Sequence, residues 1–331
     1  MGSCPACGWT VIKEARFCDS CGRPIELESG QRPDGIATKE EVAKRVGAAS
    51  VDRKRTDKRI PSVCALLALL PLASYPLIVL IIMIRPLLGY NDFDIFRAMY
   101  VIGRPLALFA SAVTLGLMVY LLLERMNAHI KREERLRAGL ISYLRLASAE
   151  AGEERTILDS LLRLSSYDGQ ARVYEKNLDG GKWGLAVFAV FFAMAVPSLI
   201  SGVQYMNDDS YRWTYLLSLM TGLLSSLVSI ATIIILAYIA AHLMRTINTH
   251  DLRWNAFVSS LEPSMRVIGK ELKLPAPVRI QKERSLILYA ILTLVTFGLF
   301  AVYWLYVLIK DPNDHFDGHD LVEPEILSAI G

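Results

Sequence analysis

The chain has 331 residues, 53% of them hydrophobic, a mean hydropathy of +0.34 and a formal net charge of +3. Soluble domains rarely reach that average, and so mild a charge does not point to nucleic acid. Five runs free of Asp, Glu, Lys and Arg approach or exceed the ~20 residues that cross a bilayer: Ile60–Ile84, Pro105–Leu123, Trp183–Met206, Thr214–Ala241 and Leu286–Ile309.

The N-terminus comes first, over residues 1–25. Cys4-Pro-Ala-Cys7-Gly8 and Phe17-Cys18-Asp-Ser-Cys21-Gly22 are two C-x-x-C pairs, each followed by glycine. Two such pairs supply the four thiolates of a tetrahedral zinc site. Disulfides or redox dithiols are the alternative, disfavoured in a reducing compartment. A segment this short has too few apolar residues to fold without metal. The pattern resembles the short zinc ribbons at the N-termini of prokaryotic membrane and regulatory proteins. The resemblance implies a structural Zn2+ held by Cys4, Cys7, Cys18 and Cys21 in a docking module.

Residues 26–59 read as a linker. Thr38-Lys-Glu-Glu41 is a capping box that starts a short helix. Arg53, Lys54, Arg55, Lys58 and Arg59 crowd the start of the first apolar run, as a topology signal or a contact for anionic lipid.

A tandem repeat follows. A shift of 121 residues carries Pro76 onto Pro197, Asn127 onto Asn248, His129 onto His250, Arg132 onto Arg253 and Arg145 onto Arg266. The two units occupy 60–150 and 183–274, joined by a helix and loop over 151–182. Each unit predicts two spans and a long helical stalk. The first stalk predicts an unbroken helix from Leu106 to Leu146, since no proline interrupts it. Trp254, Val258, Leu261, Met265, Ile268 and Leu272 form a heptad seam on the second stalk, with a kink or a chain break expected at Pro263. The seam is expected to join the stalks or a neighbouring copy. Ser218, Gly222, Ser225, Ser229 and Thr232 line one face of the fourth span, for close packing or for a pore wall.

Residues 275–310 predict a fifth crossing, and 311–331 an acidic solvated tail, with a divalent-cation site as its alternative. Thr296-Phe-Gly298 to Tyr303-Trp304 and Asn313 resembles a motif of uncharacterised prokaryotic multi-pass membrane proteins. The Asn-x-His motifs at 127–129, 248–250 and 313–315 invite a metal reading, but they read instead as side chains that satisfy backbone groups or headgroups: residues i and i+2 on a helix do not face one another, and a fifth crossing would put His315 on the side opposite His129 and His250.

Lys and Arg number 12, 11 and 8 in segments 1–59, 124–182 and 244–285, against 3, 1 and 1 in 85–104, 207–213 and 310–331. That bias places the N-terminus in the cytoplasm of a plasma-membrane protein and the C-terminus outside. The expected fold is an all-α polytopic membrane protein with five transmembrane helices, a tandem two-helix repeat, long cytoplasmic helical extensions and an N-terminal zinc ribbon. No H-E-x-x-H, G-x-S-x-G, phosphate loop or intramembrane carboxylate pair is present. The sequence therefore predicts a non-enzymatic scaffold or sensor. Its predicted partners are the lipid bilayer, further copies of the chain and a cytoplasmic protein, with no nucleic acid. An oligomeric channel or uncoupled transporter with a Ser/Gly-lined fourth span is the alternative.

Overall fold

A computed structural model describes residues 2–3, 10–11, 38–69, 103–175, 177–206, 211–274, 284–296 and 298–331; the side chains of 174, 201–206, 211–218 and 221 are outside the described set. The four N-terminal cysteines, Pro71, Pro76 and the first apolar run from residue 70 lie outside it as well. The chain divides into two units, Met1–Glu41 and Val42–Gly331.

In the first unit, β1 (Gly2–Ser3) pairs antiparallel with β2 (Thr10–Val11), Gly2 opposite Val11. The expected capping box is present. Thr38 N–H donates to Glu41 Oε2 at 3.0 Å, and Glu41 N–H donates to Thr38 Oγ1 at 3.2 Å. It opens α1 (Lys39–Val51).

The second unit is helical. It contains α2 (Arg53–Thr56), a 3-10 helix (Ser62–Leu69), α3 (Arg104–Ala151), α4 (Glu154–Tyr174), α5 (Gly180–Met206), α6 (Tyr211–Val267), α7 (Leu286–Val295) and α8 (Phe300–Ile330). Among the described residues, α3, α5 and α6 carry segments long and apolar enough to cross a membrane. Helix α3 is the unbroken stalk expected, 48 residues long. At 1.5 Å per residue it reaches roughly 70 Å, more than twice a hydrocarbon core of about 30 Å.

Helices α3 and α5 cross where glycines allow it. A Cβ on Gly116 would lie 2.9 Å from Gly184 O, and one on Gly184 would lie 2.8 Å from Gly116 O. Neither contact is tolerable for a side chain, so this crossing requires glycine on both helices. Leu115, Met118, Leu122, Val187, Phe191, Ile239 and Leu243 close the core around it.

Three expectations change. First, the heptad seam of the second stalk is consumed inside the chain. Trp254, Leu261 and Met265 are buried, and α4 packs on α6 with Ile157, Leu161 and Leu164 buried. Second, of the kink or break expected at Pro263, the break does not occur: α6 runs through it to Val267. The missing N–H frees the carbonyl of Ser259, which lies on an exposed turn where water can serve it.

Third, the run from Leu286 to Ile309 is not a single crossing helix. It is a helical hairpin whose tip includes Thr296, Gly298 and Leu299. Gly298, with φ 91°, makes the turn. Thr296 Oγ1 accepts from Phe300 N–H at 2.9 Å, satisfying one of the open donors of α8. Tyr289 packs against Phe300, Tyr303 and Trp304 across the hairpin. At its base Arg284 donates to both carboxylate oxygens of Asp311, at 2.8 and 3.0 Å. The ten residues of α7 span only about 15 Å, half a hydrocarbon core. Helix α8 therefore returns to the side on which the hairpin began. The expected acidic tail is the second half of that helix, and much of it is buried.

A candidate metal centre among three helices

Four of the five histidines of the chain converge on one buried point. His129 and Glu133 stand one turn apart on α3, His250 stands on α6, and His315 and His319 stand one turn apart on α8. Their available donor atoms all lie within 4.8 Å of one another. All five side chains are at most 1% exposed. They sit just past the apolar segments, at the root of the stalks.

Each imidazole is held from behind by a carboxylate. His129 Nδ1 lies 3.0 Å from Asp57 Oδ1, His250 Nδ1 3.1 Å from Glu175 Oε2 and His319 Nδ1 2.9 Å from Glu323 Oε1. His315 Nδ1 bonds Asp251 Oδ1. A carboxylate only accepts, so each Nδ1 carries the proton and each Nε2 presents a lone pair inward. His129 Nε2 and His315 Nε2 are 3.0 Å apart. Glu133 Oε2 lies 2.7 Å from His250 Nε2, 3.5 Å from His129 Nε2 and 3.6 Å from His319 Nε2. Its other oxygen accepts from Arg137.

Ionic support surrounds this inner shell. Arg132 is fully buried; its Nη1 donates to Glu323 Oε1 and Oε2 at 2.7 and 2.8 Å, and its Nη2 donates to Asp57 Oδ2 at 3.0 Å. Arg253 donates to Glu175 at 2.8 Å. The repeat thus reappears as chemistry. In each copy a His-x-x-Arg pair on the stalk grips one carboxylate that precedes the first span of that copy: His129 and Arg132 on Asp57, His250 and Arg253 on Glu175.

Burial pushes His129 and His319 well below the ordinary imidazole range, and neighbouring positive charge adds to it. His315 is lowered too, again chiefly by burial. Burial raises Asp57 and Glu323 against the pull of Arg132. Burial also opposes ionisation of Glu175, but His250 and Arg253 prevail and hold it at about 2. Trp254 stacks on His319 at 4.2 Å, and Phe316 tilts against His129 at 4.7 Å.

Two of the three asparagines of the Asn-x-His motifs do satisfy backbone groups. Asn127 donates to Leu178 O at 2.8 Å, and Asn313 donates to Ile60 O at 2.9 Å. The histidines do not; three separate motifs bring one histidine each to the same point. The expected exclusion of His315 fails because α8 returns on the stalk side. Pro312 helps to seat that helix. It leaves Leu308 O without a helical donor, and Arg125 Nη2 bonds that oxygen and Ile309 O, each at 3.1 Å.

Two of the basic residues before the first run, Arg53 and Arg59, have specific partners. Arg53 donates to His319 O at 3.1 Å and pairs with Asp320 at 2.9 Å, while Arg59 donates to Asp317 at 2.8 Å. These contacts replace the solvated acidic tail expected from the sequence. Two hydroxyls of the fourth-span face, read for close packing or for a pore wall, donate to backbone of their own helix, Ser229 to Ser225 O at 2.7 Å and Thr232 to Val228 O at 2.8 Å, and Thr232 also reaches Met194 Sδ of α5 at 3.7 Å.

Residues 284–326, from the hairpin base through Glu323, match the family described as Domain of unknown function (DUF4234). No curated protein and no solved structure matches the chain.

Proposed function

We propose that the chain is a non-enzymatic integral membrane scaffold whose helical stalks form one rigid docking body on the cytoplasmic side. The observation that carries this reading is the buried polar knot. It ties the strap at 52–59, both stalks and the C-terminal helix together immediately past the apolar segments. A body fixed in that way presents a defined surface to a partner. Leu158 and Leu162 of α4, 54% and 57% exposed beyond the apolar segments, are the apolar part of that surface. The zinc ribbon of Cys4, Cys7, Cys18 and Cys21 is a second docking element.

With α8 returning to the stalk side, Lys310 joins the cytoplasmic segments. The basic residues there then number 32, against four outside. Four spans and a re-entrant hairpin then place both termini in the cytoplasm.

Two experiments test this reading. A cysteine introduced at Asp320 should resist a membrane-impermeant thiol reagent in intact cells and react after permeabilisation; labelling in intact cells would refute the topology. A photo-crosslinker at Leu158 should trap one discrete protein, or a second copy of the chain, and Leu162→Glu should abolish the adduct. Absence of any specific adduct would refute docking through α4.

A further inference from the structure

We propose that His129, Glu133, His250, His315 and His319 bind one divalent first-row transition-metal ion with four imidazole nitrogens and one carboxylate oxygen. This inference concerns what fills the knot and stands independently of any docking partner.

The first argument is protonation. Each Nδ1–H is committed to a carboxylate, so a neutral ring has no proton left at Nε2. Two such lone pairs facing each other at 3.0 Å repel unless positive charge lies between them. Glu133 Oε2, His250 Nε2 and His319 Nε2 are buried and have no hydrogen-bond partner among the described residues. The 2.7 Å approach of His250 to Glu133 is therefore close without being a hydrogen bond. Unsatisfied buried polar atoms aimed at one point are costly, and a cation there satisfies all of them at once.

The second argument is distance. Bonds of about 2.1 Å put adjacent ligand atoms about 3.0 Å apart and opposite ones about 4.2 Å apart. The four measured separations run from 2.7 to 3.6 Å, and the whole set fits within 4.8 Å. Small rotations of the side chains complete a five-coordinate shell.

The third argument is support. Histidine ligands commonly donate their second N–H to a carboxylate, which fixes the tautomer and strengthens the donor. Here every one does, through Asp57, Glu175, Asp251 and Glu323.

The donor set selects the ion. Imidazole-rich sites suit iron, nickel, copper(II) or zinc, whereas magnesium and calcium require oxygen ligands and copper(I) prefers sulfur. Five protein donors at a buried point leave little room for substrate, so the ion acts as a clasp between α3, α6 and α8.

The test uses the full-length protein with Cys4→Ser and Cys18→Ser, which removes the N-terminal thiol site from the count. Elemental analysis should find about one first-row ion per chain. After chelation, Co(II) alone should rebind at about one equivalent and quench a fluorescence component that Trp254→Phe removes. His250→Ala should abolish tight uptake, and Glu175→Gln should weaken it about ten- to a hundredfold. If His250→Ala does not fold, the parent protein and Glu175→Gln still decide. A parent protein that holds no first-row ion and takes up no Co(II) overturns the inference, as does uptake that neither substitution alters.

Discussion

Replacing Arg132 with methionine isolates the ionic layer behind the histidines. Arg132 is completely buried and makes three charged hydrogen bonds, two to Glu323 and one to Asp57. Methionine keeps much of the aliphatic volume but leaves two buried carboxylates without that cation. Removing one partner of a buried pair costs about 3–5 kcal/mol, because the remaining charge stays desolvated. In a unit this large, 1 kcal/mol moves the melting temperature by roughly 2 °C, so a fall of roughly 6–10 °C is expected. The assay is thermal unfolding in detergent, followed by the fluorescence of buried Trp254. Adding Glu323→Gln to Arg132→Met removes one of the stranded charges and should recover about 1 kcal/mol or more, an interaction detectable in a double-mutant cycle. A melting temperature within about 2 °C of the parent, or strictly additive effects, would refute the view of Arg132 as the counter-charge of this core.

Other substitutions probe separate elements. Gly184→Leu should unseat α5 from α3 and sharply lower the folded yield measured by size-exclusion chromatography, whereas Gly222→Leu, with nothing within 4 Å of its Cβ position, should not. Gly298→Ala forces a side chain onto a residue with φ 91° and should cost about 1–2 kcal/mol, read as a lower melting temperature. Arg125→Met leaves Leu308 O and Ile309 O without their guanidinium donor and should destabilise by about 1–3 kcal/mol; proteolysis should then release the C-terminal helix more readily.

The stalks were legible because their apolar pattern is long and free of proline. The capping box at Thr38 was legible because its chemistry is local. The repeat was legible as an offset, and that offset already held His129 and Arg132 opposite His250 and Arg253. What it could not show was the third contributor. A run of apolar residues from Leu286 to Ile309 has the length of a crossing helix and equally the length of a hairpin, and only the turn at Gly298 with the Arg284–Asp311 pair separates them. A single crossing would hold His315 apart from His129 and His250, whereas the hairpin brings it back to them. Glu133 gave no signal of its own; it lies among charged residues on a stalk and differs from Glu134 only in facing inward. A search for i, i+4 pairs of possible ligands would have raised His129 with Glu133 and His315 with His319.

The hairpin also sets an order of events during synthesis. Domains and their parts form from the N-terminus as the chain emerges. Asp57 with His129 and Glu175 with His250 are all made before α8 exists. The growing chain therefore carries two half-built grips, one per repeat, whose inward nitrogens wait on α8. Only when α7 and α8 have folded back on each other does the cluster close. Until then each stalk holds its own carboxylate and nothing more, so the latest-made of the three helices is the one that fastens the first repeat to the second.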